Sequence, residues 1–146
     1  MMKRLLTILC IPALLLFGGP SEGYAFDRTD LKKLLAMNSC VSCDLSNAKL
    51  NWEYLKGANL KGANLKGANL YNTTLDDADL SGADLRYADL RKASLIRTNL
   101  TDANLSGVSL GEAWFQSAIL CRTTVPWGVE NRDCSTWDKM KDKILR

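Results

Sequence analysis

Cysteine is the residue with the most chemistry to offer in this chain. Cys40-Val41-Ser42-Cys43 forms a C-x-x-C motif, and Cys121 and Cys134 stand 13 positions apart further on. Such a pair supports an activated thiolate, part of a zinc site, or a structural disulfide. Histidine is absent from all 146 residues. That excludes Ser-His-Asp and Cys-His catalysis, histidine metal ligands and histidine proton shuttles. No His follows Cys43, so c-type haem attachment is excluded as well. Two features weigh against an activated thiolate. No βαβ pattern surrounds the motif, and Asp44 directly after it raises a neighbouring thiol's pKa. The expectation is a structural pair, with a periplasmic thiol-disulfide role for Cys40 and Cys43 as the alternative.

The compartment bears on these cysteines. Lys3 and Arg4 precede an apolar run from Leu5 to Phe17, and Gly23-Tyr24-Ala25 ends the segment with small residues at the two key positions. This predicts a secretory signal peptide over 1–25, cleaved after Ala25. Thirteen helical residues reach only about 20 Å, short of the ~30 Å bilayer core, so no stable membrane anchor is expected. Cys10 follows Leu9, too large for a lipoprotein site, and no twin-arginine pair is present. The expected location is periplasmic or secreted. Cleavage removes Lys3, Arg4 and Glu22, so 19 basic residues become 17, 16 acidic become 15, and the net charge falls from +3 to +2. That balance argues against a nucleic-acid partner. An even set of four cysteines in an exported chain suggests disulfides.

What positions these residues is a repeat. Leucine recurs at every fifth residue from Leu45 to Leu110, and Phe115 and Leu120 complete 16 positions. Two residues before each is a small place, filled by Ala in 11 of the 16. Asn or Asp fills the place between in nine, as in Asn59, Asn64, Asp79 and Asp84. In an α-helix a step of five advances about 140°, so the leucines share no face. In a flat strand an odd step alternates faces. Only a chain that turns once per five residues aims every leucine at one axis, which makes a solenoid with a leucine interior. Gly57, Gly62, Gly67, Gly82 and Gly107 all fall two residues after a central leucine, where a type II turn needs positive φ. Where Trp52, Tyr87, Lys92 or Arg97 takes that place, a different turn is expected.

Stretches such as GANLKGANLKGANL and DADLSGADLRYADL resemble the pentapeptide-repeat family, whose pattern is A-(D/N)-L-x-x. The resemblance implies an all-β solenoid: a right-handed quadrilateral β-helix of about four coils, one pentapeptide per side. The implied organisation is a signal peptide at 1–25, an N-terminal cap with a helix at 26–42, the β-helix at 43–122, and a cap loop and helix at 123–146. Residues 20 apart then stack, giving inward columns Leu45-Leu65-Leu85-Leu105 and Leu55-Leu75-Leu95-Phe115. Glu53, Thr73 and Thr98 occupy small inward places. Glu53 implies an open corner or an outward swing, and the threonines imply hydroxyls bonded to backbone. Outside, Lys56 is expected against Asp76 and Asp77 against Arg97, with Lys66 and Arg86 an unfavourable stack.

Cap signals flank the repeats. Thr29 or Asp30 reads as a helix N-cap ahead of a Leu31-Leu34-Leu35 stripe. Ser135 or Thr136 reads as the cap of a second helix with Trp137, Met140 and Ile144 on one face, and Trp127 as part of a closing loop. Cys43 and Cys121 sit in the first and last coils, roughly 14–19 Å apart. That separation excludes a shared zinc or a cross-disulfide and leaves Cys40–Cys43 and Cys121–Cys134.

No catalytic constellation and no cofactor site is expected. The reading is a non-enzymatic scaffold or protein-interaction module, monomeric or an end-to-end dimer. Tyr54, Lys56, Ile96 and Trp114 fall on one side and form its candidate contact face. Some relatives mimic DNA, but that needs an acidic surface and a cytoplasmic address, neither of which this chain offers.

Overall fold

A computed structural model describes residues 27–132 and Cys134. Its organising feature is a ladder of 14 parallel bridges, each joining a residue to the one twenty ahead, from Ser39↔Asn59 to Asn104↔Thr124. Twenty residues divided by a repeat of five gives four sides per turn of the chain. Each side is a single bridging residue between two corners, so the sides never lengthen into ordinary strands. Leu65 N–H donates to Asp84 O (2.8 Å), Gly67 N–H to Arg86 O (2.8 Å), and Ala68 N–H closes the corner on Leu65 O (3.0 Å). The same three bonds recur along the stack, so each coil templates the next.

The core lies along the axis. Leu45, Leu50, Leu60, Leu65 and every further leucine of the series to Leu105 are fully buried, and Leu55 nearly so. The alanines two residues earlier are buried beside them. Small side chains are required there because leucines from four sides already fill a narrow tube. Thr73, Thr98 and Thr123 replace Ala without penalty. Their hydroxyls donate to Leu50 O, Leu75 O and Leu100 O, each at 2.7 Å. Glu53 is half-exposed at its corner.

The corners differ from expectation. Every fifth residue from Ser42 to Arg122 has positive φ, and only five of these are glycine. Trp52 (φ 67°), Tyr87 (60°), Lys92 (60°) and Arg97 (57°) adopt the same turn as the glycines, not a different one. The left-handed conformation costs an L-residue roughly 1–2 kcal/mol. The ladder enforces it, because each of these N–H groups donates to the next coil: Trp52 to Tyr71 O, Tyr87 to Ser106 O, Lys92 to Gly111 O and Arg97 to Gln116 O. A different turn would lose a rung.

The ladder also reaches past the 43–122 span. Cys40 takes a leucine place and Cys43 an alanine place, with Cys40 N–H on Asn59 O (2.7 Å). At the far end Val125 is buried in a leucine place.

Helix α1, Arg28–Met37, covers the first coil. Its N-cap is Asp27, which accepts from Thr29 N–H, and not Thr29 or Asp30. Asp30 is instead committed to the solenoid, accepting from Asp44 N–H at 2.8 Å. Of the expected stripe Leu34 is fully buried, Leu31 is partly buried, and Leu35 is 50% exposed. Asn38 ends the helix in the left-handed conformation and its amide donates to Lys56 O.

The C-terminal end corrects the cap-loop expectation. Residues 120–132 form an antiparallel hairpin of β1 (Leu120–Val125) and β2 (Gly128–Arg132), with Val125 opposite Gly128. Pro126 and Trp127 make the two-residue turn, which leaves Trp127 exposed at its tip. The signal segment and the Ser135–Ile144 helix expectation lie outside the described residues. No helix among the described residues is long and apolar enough to cross a membrane.

Candidate functional site

The four cysteines among the described residues fall into two separate pairs at opposite ends of the stack. Cys40 and Cys43 are disulfide-bonded with Cα atoms 5.4 Å apart, and both are buried in the tube beneath α1. Cys121 and Cys134 are also bonded, Cα to Cα 4.7 Å, and tie the start of β1 to the chain beyond β2. Asp30 lies close enough to Cys40 and Cys43 for three donor atoms to fall within 4.8 Å of one another. With the two sulfurs bonded to each other, that set offers a metal no thiolate, and the Asp30 carboxylate already holds Asp44 N–H. Thiolate exchange requires an accessible sulfur. Here the sulfurs fill places that leucine and alanine fill elsewhere.

The expected contact face divides. Tyr54, Thr74, Ser94 and Trp114 form one outward column, so Tyr54 and Trp114 share a side but stand three rungs apart, about 14 Å. Tyr54 (72%) and Trp114 (56%) are well exposed, whereas Ile96 is half-buried. Lys56 turns to Asp77 (3.8 Å), not Asp76. Asp76 is occupied: it accepts from the Ser94 hydroxyl and, at 3.0 Å, from Ile96 N–H. The four residues therefore share a side without meeting as one patch.

A tighter cluster lies at the next corner, built from residues that sequence reasoning did not join. Trp52 packs edge-on against Tyr71 (centroids 5.7 Å). Arg91 and Lys92 stand over the Tyr71 ring at 5.7 and 5.8 Å, within cation–π range. Tyr71 and Arg91 are twenty apart in sequence, so the coil register already holds this contact. Tyr71 and then Glu112 raise the Lys92 pKa, which keeps the amine cationic.

Five ion pairs stand on the wall among the described residues. Asp77–Arg97 (2.6 Å) bridges successive coils as expected, and Asp102–Arg122 (2.6 Å) repeats the motif on another side. The Lys66–Arg86 stack is relieved because Arg86 folds back onto Asp84 (2.6 Å). Arg91 does the same to Asp89 (2.7 Å). Hydrogen bonds from these arginines hold the carboxyls of Asp77, Asp84 and Asp89 below the usual carboxylate range. A shallow groove of about 280 Å³ runs past Lys61, Ser81, Asn99 and Thr101. The Ser46 and Ser94 hydroxyls donate to Asp44 and Asp76, and the same carboxylate oxygens also accept the backbone N–H groups of Ser46 and Ile96. What the arrangement offers is display: aromatic and charged groups held in fixed register on a rigid wall.

Comparison with known proteins agrees with this geometry. The pentapeptide repeats family model matches in eight copies, over residues 43–86 and 83–120. The chain is similar to a pentapeptide repeat protein of the Arabidopsis thaliana thylakoid lumen, with 33% identity over 70% of this chain and 71% of that one, TM-score 0.58. It is also similar to HetL, a pentapeptide repeat protein involved in heterocyst differentiation regulation in the cyanobacterium Nostoc. That match has 36% identity and TM-score 0.59, covering 62% of this chain and 41% of HetL. No curated protein matches the chain.

Proposed function

The chain belongs to the pentapeptide repeat family, and on that premise we propose that it is a non-enzymatic, exported scaffold that binds another protein. Its fold is then a right-handed quadrilateral β-helix of about four coils. The observation that carries this reading is the division of labour along the ladder. Inward places are given to packing, and aromatic and charged groups stand on the wall, where a protein partner reads them as a rigid surface. The corner of Trp52, Tyr71, Arg91 and Lys92 is the best-formed such surface. Aromatic and arginine side chains are those that dominate protein interfaces. Export is supported by the signal-like leader, by two disulfides, and by the lumenal location of one relative. The partner is a protein and not a nucleic acid, and the chain works without a membrane anchor, as a monomer or an end-to-end dimer.

Affinity capture with the mature protein, followed by mass spectrometry, tests the reading. A protein captured by the wild type and lost with Trp52→Ala supports it. A turnover abolished by a single surface substitution overturns it. Exported material should begin at Phe26 on N-terminal sequencing. The spacing of Cys40 and Cys43 keeps a thiol-disulfide role as the second reading. It requires insulin reduction that disappears in Cys40→Ser.

A further inference from the structure

The α1 end of the solenoid differs from the remaining length in charge and in what it exposes. Residues 27–66 carry seven basic and four acidic side chains, net +3, whereas residues 67–132 carry six and eight, net −2. Nine large hydrophobic side chains are exposed among the described residues. Five of them, Leu35, Met37, Val41, Trp52 and Tyr54, belong to α1 or the first coil. Met37 is 67% exposed on the last turn of α1, although Leu34 three residues earlier is fully buried in the core. Lys32, Lys33, Lys61 and Lys66 form no ion pair with any described residue. The acids of this end are turned inward on the backbone: Asp27, Asp30 and Asp44 accept from the N–H groups of Thr29, Asp44 and Ser46. Ser42 N–H donates to Lys61 O and Asn47 N–H to Lys66 O, each at 2.9 Å, so both lysines stand one rung, about 4.8 Å, above the first coil.

We propose that this end docks reversibly on an anionic lipid surface. Such a surface takes apolar side chains among its headgroups and cations beside its phosphates. Helix α1 offers both within ten residues, Lys32 and Lys33 with Leu35 and Met37, all exposed. Trp52 and Tyr54 add large rings with a polar edge, the groups that settle at a membrane interface. Lys61 and Lys66 lie within a Debye length, about 8 Å, of the first coil and add to its field. With excess positive charge at one end and excess negative charge along the rest, the solenoid meets an anionic surface end-on and keeps its acidic length away. An acidic protein or a nucleic acid would use the lysines and leave the exposed aliphatic groups in water. Lipid is the partner that uses both. The expected cleavage after Ala25 leaves only Phe26 ahead of Asp27, so the leader does not cover α1 in the mature chain. The docking needs no spanning segment, and it does not depend on the protein partner proposed for the wall.

Co-sedimentation of the mature chain with vesicles tests it. Vesicles of phosphatidylglycerol and phosphatidylcholine in equal parts should bind the chain about tenfold or more tightly than phosphatidylcholine alone, and added salt should weaken that binding. Lys32→Glu combined with Lys33→Glu should lose about tenfold or more of the affinity. Leu35→Ser combined with Met37→Ser should lose several-fold on the same vesicles. All four positions are exposed, so the far-UV spectrum and urea midpoint should stay as in the wild type. Lys92→Glu, two coils up the wall, should leave vesicle binding near the wild-type value. Equal binding to both kinds of vesicle, or binding untouched by the α1 substitutions, overturns the proposal. Binding to polyglutamate as tight as to the anionic vesicles, with no loss in the Leu35 and Met37 variant, would make this end a site for acidic protein and overturn it too.

Discussion

Leu85→Ala at the middle of the stack is the sharpest test of the packing argument. Leu85 lies between Leu65 and Leu105 in one inward column, and all three are fully buried. Removing three carbons forfeits roughly 2.4 kcal/mol of transfer free energy at ~0.8 kcal/mol per buried methylene. The remaining cost depends on how far the wall can close over the void. Here it closes very little, because Leu65 N–H is bonded to Asp84 O and Leu85 N–H to Asn104 O, each at 2.8 Å. Collapse would break rungs on both sides. The total should therefore lie toward the top of the known Leu→Ala range, about 4–5 kcal/mol. Leu110→Ala, in the half-covered last coil, is the control and should cost about half as much. Urea unfolding followed by far-UV circular dichroism measures both, with an unchanged m-value showing that only stability moved. A loss below ~1 kcal/mol for Leu85→Ala, or one no larger than for Leu110→Ala, would refute a rigid wall around a filled tube.

The corners give a reciprocal pair of backbone tests. Ser117 has φ 58°, so Ser117→Gly should be neutral or stabilising by up to ~1 kcal/mol. Gly82 has φ 67° with open space around an added Cβ, so Gly82→Ala should destabilise by about 1 kcal/mol through backbone strain alone. Both values come from thermal or urea midpoints, and equal signs for the two would contradict the shared turn. Acid should weaken the fold through the arginine-paired carboxylates. The Asp84 pKa is held below its ordinary 3.8 chiefly by the Arg86 hydrogen bond, so its contribution is complete above the unfolded value and lost as pH falls through the lowered folded one. The urea midpoint of the wild type should fall between about pH 5 and 2 more than that of Asp84→Asn, and parallel curves would remove this pair from the pH dependence.

Residue spacing made the ladder legible, because only one geometry brings side chains five apart onto a common line, and the columns Leu45-Leu65-Leu85-Leu105 follow from it by counting. Residue type was the less reliable guide. Cys40 occupies a leucine place and Val125 another, yet neither is leucine, so counting leucines starts the solenoid one side late and stops it one side early. Local preference disfavours positive φ at Trp52, Tyr87, Lys92 and Arg97, yet all four adopt it. The rung each N–H makes to the coil above is non-local and decides the matter. The same reasoning explains the Trp52–Tyr71–Arg91–Lys92 corner, whose members are 19, 20 and 21 positions apart. At that distance no local pattern joins them, yet once the chain advances twenty residues per turn they are neighbours by necessity. In a solenoid, then, a surface cluster is set by register before it is set by composition. A one-residue insertion in any corner between Trp52 and Arg91 would separate the cation from the rings while leaving every side chain in the sequence unchanged.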